Sequence, residues 1–368
     1  QRSGLVFIGP RVRNIRIMGD KPRARRVMER AGVPVLSGTS SGTTDVREAQ
    51  AVAAQVGFPI LIKAAGGGGG RGLRIAHTAD ELAAAFPVAR DEGEAAFGNG
   101  ALYIEKYLER ARHIEFQIIA DQHRHVIHLG ERECSVQRRY QKILEETPSP
   151  ALNKRLRERM GAVSVKAAQA VGYTNVGTIE FLLGPQGNFY FIEMNTRVQV
   201  EHPITEMVTG IDIVQAGIRA AAGEPLPWRQ RDITFSGHAL ECRIVAEDPI
   251  AMRPSPGTIQ GYHAPGGMGI RVESGVADRS VVPVYYDSLI AKLVAAGQTR
   301  AEAIQRMHGA LAEYRIGGIK TNIPLHQRIL DDPDFLAGNV HTRYLDKFLE
   351  KPVVHDTLPA IGQAALQA

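Results

Sequence analysis

Two carboxylates set across a hairpin are the first sign of chemistry in this chain. Val176-Gly177-Thr178-Ile179-Glu180-Phe181-Leu182-Leu183 reads as a strand, Pro185-Gln186-Gly187-Asn188 as a turn, and Phe189 to Met194 as the returning strand. With those four residues in the turn, Gly184 pairs with Phe189 and Glu180 falls opposite Glu193. Directly opposed side chains stand about 5 Å apart at Cβ. Carboxylates that close repel one another unless a cation lies between them. Oxygen ligands at this spacing suit Mg²⁺ (or Mn²⁺), which keeps waters and bridges to substrate phosphates. The bland alternative is a solvated acidic pair, but Ile179, Phe181, Phe189, Phe191 and Ile192 around it argue for burial.

The returning strand runs on as Glu193-Met194-Asn195-Thr196-Arg197-Val198-Gln199-Val200-Glu201-His202. If it stays extended, Glu193, Asn195, Arg197, Gln199 and Glu201 share one face by the two-residue period. That face offers metal ligands, then a guanidinium for an anion, an amide, and a carboxylate able to act as a base. Polar residues at every second position here are hard to explain as packing.

A second candidate is glycine-rich. Gly67, Gly69 and Gly72 satisfy G-x-G-x-x-G, but Leu73 to Ala76 alternates like a strand where a dinucleotide site needs a helix. No Gly-Lys-Ser/Thr follows either, so a P-loop is excluded. What remains is a glycine lid, Gly66 to Gly70, whose bare N–H groups can close over phosphates. Lys63, at the end of the preceding strand, supplies a point charge for a phosphate.

These groups need elements to hold them. Asp20 and Pro22 open a helix over about 23–31 stopped by Gly32, with Val6 to Ile8 a strand before it. A helix over 46–56 ends at Gly57, strands follow at 59–63 and 73–76, and Thr78-Ala79-Asp80-Glu81 caps another helix. Leu102 to Tyr107 closes a small α/β domain, 35–107. Beyond it lies a larger mixed domain, 108–350, with a hairpin of 113–120 and 125–129, a helix over 152–171 and another over 300–314. Residues 1–34 read as the remnant of an N-terminal domain with a helical linker, and 351–368 as a tail. Because it begins at Gln1 in an apolar strand, the chain reads as a fragment.

Composition sets the bounds. Of 368 residues 44% are hydrophobic and 23% charged, which fits a globular chain of two or three domains. No apolar run approaches the ~18 residues of a membrane span. The net charge of +5 is dispersed, which speaks against nucleic acid. Cys134 and Cys242 lie in apolar segments and read as buried thiols in a reducing, cytoplasmic setting. His123, His125 and His128 read as surface histidines by a turn, Trp228 as a packing anchor, and Glu145-Glu146 as solvated charge.

The run Phe191-Ile192-Glu193-Met194-Asn195-Thr196-Arg197-Val198-Gln199-Val200-Glu201-His202-Pro203 resembles the signature of biotin carboxylase, an ATP-grasp enzyme. So do Met18-Gly19-Asp20-Lys21, Ile62 to Gly72, Glu105-Lys106-Tyr107-Leu108-Glu109, Glu131 to Arg139, Tyr285 to Lys292, and Gly318-Ile319-Lys320-Thr321-Asn322. The resemblance implies an ATP-grasp fold of α/β (α+β) class, with a small glycine-lid domain, a larger C-terminal domain, and an N-terminal Rossmann-like domain mostly missing. It implies ATP, Mg²⁺, bicarbonate and carrier-bound biotin as substrates and cofactors. Partners would be a biotin carboxyl carrier protein, a carboxyltransferase and a second copy in a homodimer.

By the same resemblance, Lys21, Lys63 and Gly67, Gly68, Gly69 and Gly70 hold ATP phosphates, while Glu105, Lys106, Leu108, His113, Gln137 and Leu182 frame the nucleotide. Glu180, Glu193 and Asn195 surround the metal. Lys142, Arg197, Gln199 and Val200 hold bicarbonate, Glu201 deprotonates it, and Arg271 stabilises an enolate-like biotin. Tyr140 departs from the pattern, standing where many members carry a histidine to the ribose. Two other readings stay open: another ATP-grasp ligase of the carbamoyl-phosphate type, and a catalytically incomplete nucleotide-binding fragment.

Overall fold

A computed structural model describes residues 4–39, 41–64 and 73–351. The lid glycines Gly67 to Gly70 and the tail expected after 351 lie outside the described residues. Asp20 caps the helix Lys21–Arg30, its carboxylate accepting from Arg23 N at 3.0 Å. Residues 5–8 form no strand; they are exposed and lead into a short helix, Val12–Met18, that the sequence reading lacked. With no neighbouring strand to pair, an apolar run has no ladder to join.

A small three-stranded sheet follows, with β1 (Ile60–Ala64) between β2 (Arg74–Ala76) and β3 (Leu102–Lys106). The helices Val46–Val56 and Ala79–Phe97 cover it, burying Ala49, Ala53, Leu82 and Phe86 against Ile60, Ile62 and Ile104. Thr78 caps the second helix through Glu81 N.

The larger sheet has eight antiparallel strands in the order β12-β14-β9-β6-β5-β4-β7-β8. These are β4 (Arg112–Ala120), β5 (Val126–Arg138), β6 (Gln141–Thr147), β7 (Asn175–Leu183), β8 (Phe189–Asn195), β9 (His238–Val245), β12 (Ile270–Ser274) and β14 (Leu289–Gly297). Short strands β10 (Gly257–Thr258) and β13 (Val281–Val282) pair with each other, as do β11 (Gln260–His263) and β15 (Arg315–Gly317). The expected hairpin at 113–129 is present, but its second strand runs on to Arg138 and pairs with β6, an extension not anticipated.

Alternation along the strands separates core from site. On β9, Leu240, Cys242 and Ile244 enter a core with Leu293, Met307 and Phe335, while Glu241 and Arg243 take the opposite face. A second core joins Phe116, Phe181, Phe189 and Met194 to the helix Lys154–Ala170 and to Ala24 and Met28.

The carboxylate hairpin forms, by a different route from the one expected. Leu183 pairs with Phe189, Gly184 N bonds Asn188 O at 2.8 Å, and the loop is one residue shorter than the sequence reading had it. A bulge between Phe191 and Glu193 then restores the count, so Glu180 still faces Glu193.

The extended continuation to Glu201 is not found. The strand ends at Asn195, the chain turns, and Glu201 stands at the N-terminus of the helix His202–Thr209, with Pro203 in its first turn.

Candidate functional site

One cavity of about 930 Å³ lies between the small sheet and the large one. Among the described residues it gathers most of the expected site. Lys21, Lys63, Lys106, Leu108, His113, Gln137, Lys142, Glu180, Leu182, Glu193, Asn195, Arg197, Gln199, Val200 and Glu201 all line it. Two expected residues do not. Glu105 lies behind the lining and holds Lys63 Nζ at 2.5 Å. Arg271 sits on β12, donating to Glu206 at 2.7 Å and pairing with Glu273. In its place the cavity receives Arg243, which the sequence reading missed.

Glu201 is held by two cations. Its Oε1 accepts from Lys142 Nζ at 2.6 Å and its Oε2 from Arg243 Nη2 at 2.9 Å. Burial alone would raise its pKa, but Lys142, Arg243 and Arg132 outweigh it and hold the carboxyl well below the usual range. His202 Nδ1, 2.7 Å from Gln199 O, braces the turn that delivers Glu201.

Lys142 reaches further. It donates to Glu180 Oε1 at 2.9 Å and pairs with Glu115. Burial opposes its charge, yet the three carboxylates drive its pKa well above normal. Glu180 Oε1 also accepts from Asn195 and Gln199 side-chain amides, each at 2.9 Å. Despite burial, Lys142 and His113 keep Glu180 ionised far below the usual range.

Beneath these groups lies Arg132, fully buried on β5. Its fork donates to Glu115 at 2.5 Å, Gln117 at 2.8 Å, Gln199 at 3.0 Å, Thr205 at 3.0 Å and Thr178 at 3.2 Å. One guanidinium thus ties three strands to the Glu201 turn and its helix, using the planar donor geometry that lysine lacks.

The donor set fits a hard divalent cation. Glu180 and Glu193 are opposed across β7 and β8, and both face the cavity. The hydrogen bond recorded for Glu193 is a long one, 3.5 Å from Asn195 Nδ2, which leaves its oxygens available. Oxygen ligands of this kind are the preference of Mg²⁺.

At the other end, Gln137 Nε2 lies 2.8 Å from His113 Nδ1 and donates to Cys134 O at 2.7 Å. Lys106 Nζ is bound by Gly57 O at 3.0 Å and Phe58 O at 2.8 Å, so it serves the wall of the cavity as well as facing it. Tyr140 also lines the cavity, at a left-handed φ of 65°.

Residues 20–229 match the family described as carbamoyl-phosphate synthase L chain, ATP-binding domain, and residues 241–347 match the biotin carboxylase C-terminal domain. The biotin carboxylase of Nostoc is 54% identical over 93% of this chain and 77% of its own. The chain belongs to the biotin carboxylase family. A pyruvate carboxylase subunit from Methanothermobacter thermautotrophicus is 51% identical over 95% of this chain and 71% of its own. The biotin carboxylase domain dimer of Hydrogenobacter thermophilus 2-oxoglutarate carboxylase, solved with MgADP, ADP and bicarbonate, superposes with a TM-score of 0.92 at 49% identity. That match covers 95% of this chain and 78% of the other.

The fold is therefore the ATP-grasp fold of biotin carboxylases, with the lid-side sheet and the eight-stranded sheet enclosing the cavity. Other expectations are met outside the site. Cys134 and Cys242 are free and buried, and Trp228 packs on a small apolar cluster. Glu145 and Glu146 are not solvated: both are fully buried, paired with Arg243 and with Arg300 and His238. His128 is half-buried against Phe116, and burial lowers its pKa to about 4. No described helix is long and apolar enough to cross a membrane.

Proposed function

We propose that this biotin carboxylase couples ATP hydrolysis to carboxylation of biotin through carboxyphosphate, with Glu201 as the base that deprotonates bicarbonate. The observation that carries the residue assignment is the pairing of Glu201 with both Lys142 and Arg243 inside the cavity that also holds Glu180 and Glu193. MgADP and bicarbonate in the Hydrogenobacter relative support the same substrates here.

The chemistry assigns itself by charge. Bicarbonate is drawn to Lys142, Arg197 and Arg243, with Gln199 and the backbone of Val200 orienting it. As the two cations turn from Glu201 to the anion, its proton affinity rises and it accepts the bicarbonate O–H proton. The freed oxygen attacks the γ-phosphorus, the bond to the β-phosphate oxygen breaks, and ADP leaves. Lys21 and Lys63 offset the charge that builds on the phosphoryl oxygens. Glu180 and Glu193, with Asn195, would hold Mg²⁺, which would supply positive charge to offset that of the phosphate oxygens. His113, Gln137, Leu108, Leu182 and Lys106 frame the nucleotide, and Glu105 acts from behind them by holding Lys63. Of the two arginines we assign Arg243 rather than Arg271 to the enolate-like biotin, because Arg243 lines the cavity and Arg271 does not.

We also assign the partners by this reading. The biotin arrives on a carboxyl carrier protein, a carboxyltransferase takes the carboxyl group onward, the chain pairs as a homodimer, and the setting is the cytoplasm. Gly67 to Gly70, outside the described residues, are assigned to the ATP phosphates by the same reading.

The test is phosphate release from ATP with Mg²⁺ and bicarbonate, with and without free biotin, for this chain and for Glu201→Gln. Biotin-stimulated release that disappears in the variant supports the reading. Release indifferent to biotin and to Glu201 overturns it and returns the chain to the other ATP-grasp ligases.

A further inference from the structure

Glu145 and Glu241 are fully buried carboxyl groups for which the reaction above has no use. They lie on adjacent strands, β6 and β9, at directly opposed positions. Glu145 Oε1 accepts from Arg243 Nε at 2.6 Å, while Arg243 Nη2 donates to Glu201 Oε2 at 2.9 Å. Arg243 is thus strung between a carboxylate in the cavity and one behind it. The other oxygen of Glu145 and both oxygens of Glu241 have no hydrogen-bond partner among the described residues.

A buried carboxylate without donors takes up a proton rather than stay ionised. Opposed side chains on paired strands reach one another, so an O–H on Glu241 can serve the orphaned oxygen of Glu145. The charged groups facing the pair are Arg243 on β9, Lys142 on β6, Lys292 on β14 and Glu201 at the helix start. Lys142 is engaged by Glu115, Glu180 and Glu201, and Lys292 by Glu273 and Val200 O. Arg243 is therefore the cation left to Glu145. Burial, reinforced by Glu145, pushes Glu241 far up, and burial against Arg243 leaves Glu145 at about 7.

We propose that Glu145 is a positioning residue: backed by a neutral Glu241, it fixes the Arg243 guanidinium so that one arm meets Glu201 and the reacting carboxyl group. The proposal rests on the carboxylase reading for the role of Arg243. A guanidinium anchored at Nε keeps a set direction. Released from Glu145, Arg243 gives both arms to Glu201, which deepens the clamp and weakens the base.

The experiment follows biotin-dependent phosphate release by the full chain and its variants E145Q, E145D, E241Q, R243Q and E145Q/R243Q. E145Q is expected to lose about tenfold in kcat with KM for ATP unchanged. E145D, which withdraws the charge by one methylene, falls between it and the parent. E241Q keeps a neutral donor and stays within about twofold. The double variant matches R243Q, because the two residues act as one unit. E145Q within twofold of the parent, losses that multiply in the double variant, or E241Q as impaired as E145Q each overturns the proposal. Thermal unfolding checks that each variant folds. The NMR signal of the Arg243 Nε–H gives a second readout without turnover: slow exchange in the parent, lost in E145Q, supports the anchor, and unchanged exchange overturns it. A parent with no biotin response defeats the carboxylase reading alone, and the Nε–H signal then decides the anchor.

Discussion

Lys142 Nζ lies 2.6 Å from Glu201 Oε1, and the same ammonium touches Glu180 at 2.9 Å. One cation therefore joins the proposed base to the proposed metal ligand. Replacing it strands three buried carboxylates. Lys142→Met is expected to cut bicarbonate-dependent phosphate release by roughly 100-fold or more. It should also destabilise the fold by about 3–5 kcal/mol, the usual cost of breaking a buried pair. Urea denaturation beside the assay reads both, and an active, equally stable variant contradicts the geometry.

Arg243 and Arg271 make opposite predictions. Arg243→Ala removes the guanidinium that meets Glu201 in the cavity, and a loss of about 100-fold or more in biotin turnover is expected. Arg271 is bound to Glu206 and Glu273 outside the cavity lining, so Arg271→Ala should stay within about fivefold in the same assay. The reverse order would restore the sequence-based assignment.

Glu193 has few internal duties, so its loss should be felt through the metal. Glu193→Gln is expected to raise the Mg²⁺ concentration for half-maximal ATP hydrolysis by about 10–100-fold. Its thermal midpoint should stay close to that of the parent, since its recorded hydrogen bond is 3.5 Å long. A Mg²⁺ titration shows whether the midpoint moves.

Acid should unfold the protein partly through His326. Buried with Nε2 2.9 Å from Arg243 O, it has its pKa lowered to about 4 by burial. Below its ordinary value of about 6.5 the unfolded chain binds a proton that the folded one refuses. The stability is thus complete above pH ~6.5 and lost as pH falls toward 4, at about 3 kcal/mol for the full span. Unfolding free energies between pH 7 and 4.5 should slope less steeply for His326→Gln, and equal slopes would refute this origin.

Much of the site was legible in the sequence because local patterns carried it. Counting along one hairpin paired Glu180 with Glu193, although the loop came out one residue shorter than counted and the bulge made up the difference, and the lysines and amides were assigned by motif resemblance. Arg243 and Glu145 were not legible in the same way. They are 98 positions apart, and only the adjacency of β6 and β9 makes them partners. Glu145-Glu146 reads as surface charge because the guanidiniums that permit burial, Arg243 and Arg300, come from distant elements. The helix at His202 was missed since a polar residue at every second place imitates a strand, while Pro203 favours a helix's first turn. The lining nonetheless came out right, because a turn into a helix brought those side chains to one cavity.

The hairpin's bulge resets phase. Upstream of it the two strands keep a register in which Phe181 meets Phe191; downstream the count has advanced by one and Glu180 meets Glu193. Ile192 and Glu193, though consecutive, both look into the cavity. Parity in the loop and parity at the site are therefore decoupled. A one-residue deletion at Ile192 would remove the bulge, leave Phe191 opposite Phe181, and bring Glu193 next along the strand, still opposite Glu180 on the cavity face, so metal binding should survive it. The bulge simply absorbs Ile192, and the acidic pair keeps its register whether or not that residue is there.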